Sequence, residues 1–224
     1  MDELTATDAA SMLDISTSRV RELIASGELR ARKLGGRWIL ARDDVDALAL
    51  ADRGAGRPWS PKMAWGYIAT AEGTPLDYLT APERSRLRRR VQEALPIDAV
   101  ARLARRRAQT HEFQLHTGLL RRALDWPGAV ATGISAKGHD LLHGKTVELY
   151  LREDDLNRMI RTFKARPTTS VPNLIVHVPT IERWPFRDKA GPMTIALDLW
   201  TAGDARSRRT ATAMFTRALT THRT

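Results

Sequence analysis

Over residues 1–50 the apolar positions recur at helical spacing twice, switch to a strand pattern around a glycine pair, and return to helical spacing. Ala9, Ala10 and Leu13 form a small apolar face, with Thr5 placed to cap it and Asp8 three residues on, a short form of the capping box. Asp14-Ile15 reads as a tight connection. Ser16 is the next N-cap, and Ile15 and Val20 have the spacing of a hydrophobic staple. Val20, Leu23 and Ile24 fall at i, i+3, i+4 and must face inward. That turns Ser18, Arg21, Glu22 and Ala25 outward, with Thr17 and Arg19 on the flanks. Ser26-Gly27 ends this second helix. Residues 28–34 and 37–40 then read as a hairpin around Gly35-Gly36, a two-residue turn that accepts positive φ, with Trp38 closing a small core. Asp43-Asp44 suit the first turn of a last helix that points Val45 and Leu48 inward.

Asp52-Arg53-Gly54-Ala55-Gly56-Arg57-Pro58 interrupts any period and reads as a linker, which divides the chain into 1–52 and 57–224. Ser60 and Pro61 open a helix to Ala71. Two arginine-rich helices are expected at about 82–95 (Leu87, Val91 and Leu95 inward) and about 97–107 (Ile97, Val100 and Ala104 inward). From 111 to 224 the pattern becomes α/β. Strands are expected at 112–115, 128–132, 146–151 and 173–178, and helices at 135–142, 153–164, 192–202 and 205–219. The fold class is therefore α+β, with a helical middle section at 57–110 and an α/β domain after it.

Composition narrows the function classes. Hydrophobic residues make up 42% and charged residues 28% of the 224, as expected for a globular chain, and no apolar run reaches the length of a membrane span. The first residues, Met1-Asp2-Glu3-Leu4, are acidic and lack the apolar region of a secretory signal, and there is no cysteine, so disulfides and thiolate chemistry are out. A cytoplasmic protein without membrane partners is expected. The net charge of +10 favours a polyanionic partner. It is unevenly spread: residues 1–50 carry 7 Lys/Arg and 9 Asp/Glu, whereas 51–110 carry 12 and 6.

The order helix, tight turn, helix, hairpin, helix lets the second helix enter a major groove N-terminus first while the hairpin lies along a backbone. The segment from Leu4-Thr5 through Asp8-Ala9-Ala10, Leu13, Ile15-Ser16, Arg19-Val20, Leu23-Ile24, Gly27 and Leu29, followed by Gly35-Gly36-Arg37-Trp38, resembles the excisionase-type branch of the MerR-like winged helix-turn-helix family over nearly all of 3–50. It departs in having Asp8 where Glu is more usual and Arg19 where Thr or Ser is common. The candidate DNA-binding residues are Ser16, Thr17, Ser18, Arg19, Arg21, Glu22, Lys33, Gly36 and Arg37. Arg21 suits a bidentate guanine contact and Glu22 a cytosine amine, while Lys33 and Arg37 flank the wing turn and suit phosphate. The net −2 of this unit predicts weak binding on its own. The stripes Arg86, Arg89, Arg90 and Arg102, Arg105, Arg106, or assembly of a homo-oligomer on DNA, are two ways to compensate.

In the second half, a strand, the turn Gly133-Ile134-Ser135, a helix and a strand bearing Glu148 and Tyr150 have the outline of a nucleotidyltransferase. Such enzymes need two carboxylates one residue apart on one strand face to hold metals. Here the second position is a phenol, a poor ligand for a hard cation, so no nucleotidyl transfer and no enzyme activity are expected. The same region, about 115–220, is similar to the C-terminal domain of the type IV AbiEi-family antitoxins. The likeness rests on Thr132-Gly133-Ile134-Ser135-Ala136, Val147-Glu148-Leu149-Tyr150-Leu151, Ala190-Gly191-Pro192-Met193-Thr194-Ile195-Ala196-Leu197-Asp198-Leu199 and Gly203-Asp204-Ala205-Arg206. It implies a repressor of its own toxin–antitoxin operon, with double-stranded operator DNA as partner and a cognate toxin countered without stable binding. An excisionase-like recombination directionality factor and a MerR-like ligand-responsive regulator are the alternatives.

Other chemistry is sparse. His139 and His143 lie i, i+4 on the expected helix without an accompanying HExxH, so no metal and no cofactor are expected. Asp198, in an apolar helix, reads as a hydrogen-bonded structural carboxylate. Trp59, Trp65, Trp126, Trp184 and Trp200 read as core or packing residues.

Overall fold

The computed structural model describes residues 3–13, 16–52, 58–74, 77–139, 141, 145–168, 171–202 and 204–221. The chain divides into two compact units, Met1–Gly56 and Arg57–Thr224. The connection Asp14-Ile15, its staple, and most of the expected linker (53–57) lie outside the described residues.

The first unit runs β1 (Glu3–Thr5), α1 (Ala6–Leu13), α2 (Thr17–Ala25), β2 (Arg32–Leu34), β3 (Arg37–Ala41) and α3 (Arg42–Asp52). The cap of α1 is reciprocal. Asp8 N donates to Thr5 Oγ1 at 3.2 Å, and the Asp8 carboxylate accepts from Thr5 N at 2.9 Å and from its hydroxyl at 2.7 Å. Those bonds hold the Asp8 carboxyl below its usual range. The strands form an antiparallel sheet in the order β1-β3-β2. Strand β1 has no counterpart in the sequence reading: three residues are too few to show a period of two, and the strand exists because β3 offers Leu40 and Ala41 as partners for Leu4 and Glu3. Ala9, Ala10, Val20, Leu23, Leu29, Leu40 and Val45 make the core. Trp38 does not close it, contrary to expectation. Leu40, two residues along the same face, fills that place, and Trp38 stays half-exposed with the Lys33 ammonium 5.5 Å from its ring centre.

The second unit begins with α4 (Pro61–Ala71), capped by Ser60. Apolar on nearly every side, it is buried almost throughout. α5 (Ala81–Gln92) carries a complete Thr80/Glu83 capping box, and the Lys62 ammonium with the Thr80 backbone pulls Glu83 down to about 2. Then follow α6 (Ile97–Leu103), β4 (Ala108–Gln114), α7 (Leu120–Leu124), β5 (Val130–Ala131), β6 (Val147–Tyr150), α8 (Glu153–Phe163), β7 (Arg166–Pro167), β8 (Leu174–Pro179), α9 (Pro192–Ala202) and α10 (Ala205–Thr221). The sheet order is β5-β6-β8-β4-β7, with β6 and β8 parallel across the α8 connection and the other pairs antiparallel. One face, bearing Phe113, Val147, Leu149, Leu174, Val176 and Val178, packs with Ala123 of α7 and with Leu156, Met159 and Phe163 of α8. A second core joins Tyr150 to residues of α4, α5, α6, α9 and α10. Trp65 is buried in it, with Trp59, Trp184 and Trp200 at its edge, and Trp126 packs against the first core.

Three expectations fail here. No helix covers residues 136–139; a single 3-10 turn at Gly133–Ser135 is followed by irregular chain, with Gly138 at φ +102°. His139 is therefore not on a helix, and its ring is held by Gly133 O and Leu141 N, while His143 lies outside the described residues. Arg102, Arg105 and Arg106 do not form one solvated stripe. α6 stops at Leu103 and residues 105–107 wind as a 3-10 turn, so the period changes; Arg102 is half-buried against Asp98. The third arginine of that turn, Arg107, is buried.

Candidate nucleic-acid interface

α2 buries Val20 and Leu23 and half-buries Ile24, and so leaves Ser16, Ser18, Arg21, Glu22 and Ala25 exposed, with Thr17 half-buried. The hydrophobic spacing alone produces this division. Arg19 is on the same helix, but its side chain lies outside the described part. Val20 N donates to Ser16 O at 3.1 Å, closing the first turn, and no acidic residue occupies that turn. The helix start is thus left with its partial positive charge.

The wing pairs Lys33 with Trp38 and Leu34 with Arg37. Gly35 (φ +55°) and Gly36 (φ +80°) are both left-handed, as the tight turn requires. Lys33, Leu34, Gly36 and Arg37 are all exposed, and Leu34, at 56%, is one of the two large apolar side chains with marked exposure among the described residues. Arg32, by contrast, is paired with Glu3 at 2.7 Å. The acids behind the net −2 are largely used elsewhere. Asp8 caps α1, Asp43 and Asp44 sit in the first turn of α3, and Asp46 pairs with Arg42.

In the second unit, Thr110, Glu148, Tyr150 and His177 share the sheet face opposite the α7–α8 core. Glu148 is held on three sides: Oε1 accepts from His177 Nε2 at 2.9 Å, Oε2 accepts from Ile134 N at 3.1 Å, and its own amide donates to Ser135 Oγ at 2.9 Å. A carboxylate only accepts, so Nε2 of His177 is the donor to Glu148, and on the other side of the ring Nδ1 shares a hydrogen bond with the Thr110 hydroxyl at 2.9 Å. Beside this lies a second buried cluster. Asp198 accepts from the Arg107 guanidinium, from Thr132 Oγ1 at 2.5 Å and from Tyr150 OH at 3.1 Å. Burial, with Asp198 next, pushes the Tyr150 phenol well above its ordinary value. Asp198 thus has the structural environment its apolar helix suggested. No local pattern marks His177, Thr110 or Arg107 for these roles, because their partners are 29 to 91 residues away. Among the described residues no cluster of three or more His, Asp or Glu side chains is arranged to hold a metal ion, and no helix is long and apolar enough to cross a membrane.

A family model for a helix-turn-helix domain matches residues 3–53, which is the first unit and close to a quarter of the chain. The first unit is thus similar to helix-turn-helix domains in sequence as well as in the order of its elements. No curated protein and no solved structure matches the chain.

Proposed function

We propose that the chain is a sequence-specific, duplex-DNA-binding transcriptional repressor whose first unit reads the operator. The observation that carries this reading is α2. Inside the segment similar to helix-turn-helix domains, it seals its apolar side with Val20 and Leu23 and keeps Ser16, Ser18, Arg21 and Glu22 in solvent. Arg21 reaches a guanine edge and Glu22 a cytosine amine, while Lys33, Gly36 and Arg37 of the wing hold phosphate.

The likeness of about 115–220 to AbiEi-family antitoxins supports autoregulation of a toxin–antitoxin operon as the setting. In this reading the second unit performs no nucleotidyl transfer. Glu148 is committed to His177 and the Ile134 amide, and Tyr150 stands where a second metal ligand would be needed.

The test is binding to the DNA upstream of the chain's own gene, set against unrelated duplex at about 150 mM salt. Preference for the upstream sequence supports the reading. Equal affinity for both overturns it.

A further inference from the structure

The exposed side of α10 carries Arg206, Arg208, Arg209 and Arg217, and the helix contains no Asp or Glu. Asp204, just before it, caps Arg206 N and Ser207 N. Among the described residues no carboxylate pairs with Arg208, Arg209 or Arg217. Buried Ser207, Ala211, Phe215, Ala218 and Leu219 anchor the opposite side of the helix, so the arginine side is fixed outward. It borders an open groove of about 730 Å³ lined by Trp200, Arg208, Arg209, Thr212, Thr216 and Arg217, among others. Arg208 lies 5.5 Å from the Trp200 ring centre, which holds one guanidinium in place without neutralising it. Thr212 and Thr220 return their hydroxyl protons to carbonyls one turn back, so charge recognition falls to the arginines.

We propose that this face of α10 is a second duplex-DNA backbone contact, separate from the helix-turn-helix unit. The complementary charge names a polyanion, and the spacing favours a duplex. Arg209 and Arg217 are eight residues apart, about 12 Å along a helix axis, which is close to the roughly 12 Å width of the major groove. Arginines at the two ends of the face therefore reach phosphates on both walls of one groove. Binding by this face depends on charge and groove width, not on base sequence.

The experiment uses the full chain and a 24-bp duplex of unrelated sequence, with affinity followed by fluorescence anisotropy over a range of salt. The variants are R208Q/R209Q/R217Q and R208K/R209K/R217K. The Gln variant should reduce the slope of log affinity against log salt by about 2–3, near 0.9 for each phosphate no longer neutralised. The Lys variant should keep the wild-type slope, and both should melt like wild type, because all three side chains are exposed. A wild-type slope in the Gln variant overturns the proposal. So does a loss confined to a 24-nucleotide single strand, or displacement of the duplex by polyglutamate at equal charge. Repeating the measurement in an Arg21→Ala background separates the two readings. The α10 effect persists there whether or not α2 reads bases.

Discussion

The carboxylate of Glu148 fills the space beside Gly133 that any side chain would need: a Cβ at residue 133 would lie 1.8 Å from Oε2. Gly133 also sits at φ +47°, and the amide that follows it, Ile134 N, is one of the donors holding that carboxylate. The turn and the buried acid are therefore one structural unit. Its glycine reflects close approach and a left-handed backbone.

Gly133→Ala should cost about 2–4 kcal/mol of stability, from backbone strain and from displacing Glu148 so that His177 is left without its acceptor. Urea denaturation followed by tryptophan fluorescence measures it. A change below about 0.5 kcal/mol would show that Glu148 moves aside freely.

Asp198→Ala leaves the Arg107 guanidinium buried without its counter-ion and should cost about 3–5 kcal/mol. Arg107→Met with Asp198→Leu removes both charges and should recover much of that loss. If the double variant is as unstable as the single one, the network contributes through its hydrogen bonds to Tyr150 and Thr132 instead of through charge.

Glu72 accepts from Met193 N and Thr194 N at the start of α9, and burial raises its carboxyl above the ordinary 4.5 in spite of those bonds. The folded state therefore holds the proton more tightly than the unfolded chain. The contribution of this group to stability falls as pH climbs from about 4.5 through the folded value, and is level above it. Wild type should lose stability relative to Glu72→Gln as the pH rises from 4.5 into the neutral range. Parallel denaturation curves at the two ends of that range check the sign, and a constant difference would rule the titration out.

If α2 reads bases as proposed, Arg21→Ala relaxes preference at one base position by about 1–3 kcal/mol. Lys33→Ala should weaken all duplexes alike and lower the salt slope by about 1. A binding series on operator variants, run at two salt concentrations, separates the two roles. Loss of base preference on changing Lys33 would exchange them.

Much of the first unit is legible because its signals are local. Thr5 with Asp8 gives a cap, Val20-Leu23-Ile24 gives a helix face, and Gly35-Gly36 gives a turn; each needs only neighbours in sequence. Where local patterns mislead, the deciding partner is usually remote or the backbone departs from the period. β1 exists through β3, Leu40 holds the core place expected for Trp38, and residues 136–139 give up helical spacing where Gly138 takes a φ of +102°.

The sequence by itself determined the helix faces, the caps, the wing turn and the charge that favours a polyanion, because periodicity and net charge are properties of the chain taken in order. Only the tertiary structure decided what the polar residues of the second unit do. Glu148, His177 and Thr110 meet because parallel β6–β8 pairing and antiparallel β4–β8 pairing bring them to one sheet face, and Arg107 meets Asp198 across 91 residues. A buried charge is defined by what surrounds it, and those surroundings come into being only when the chain closes on itself.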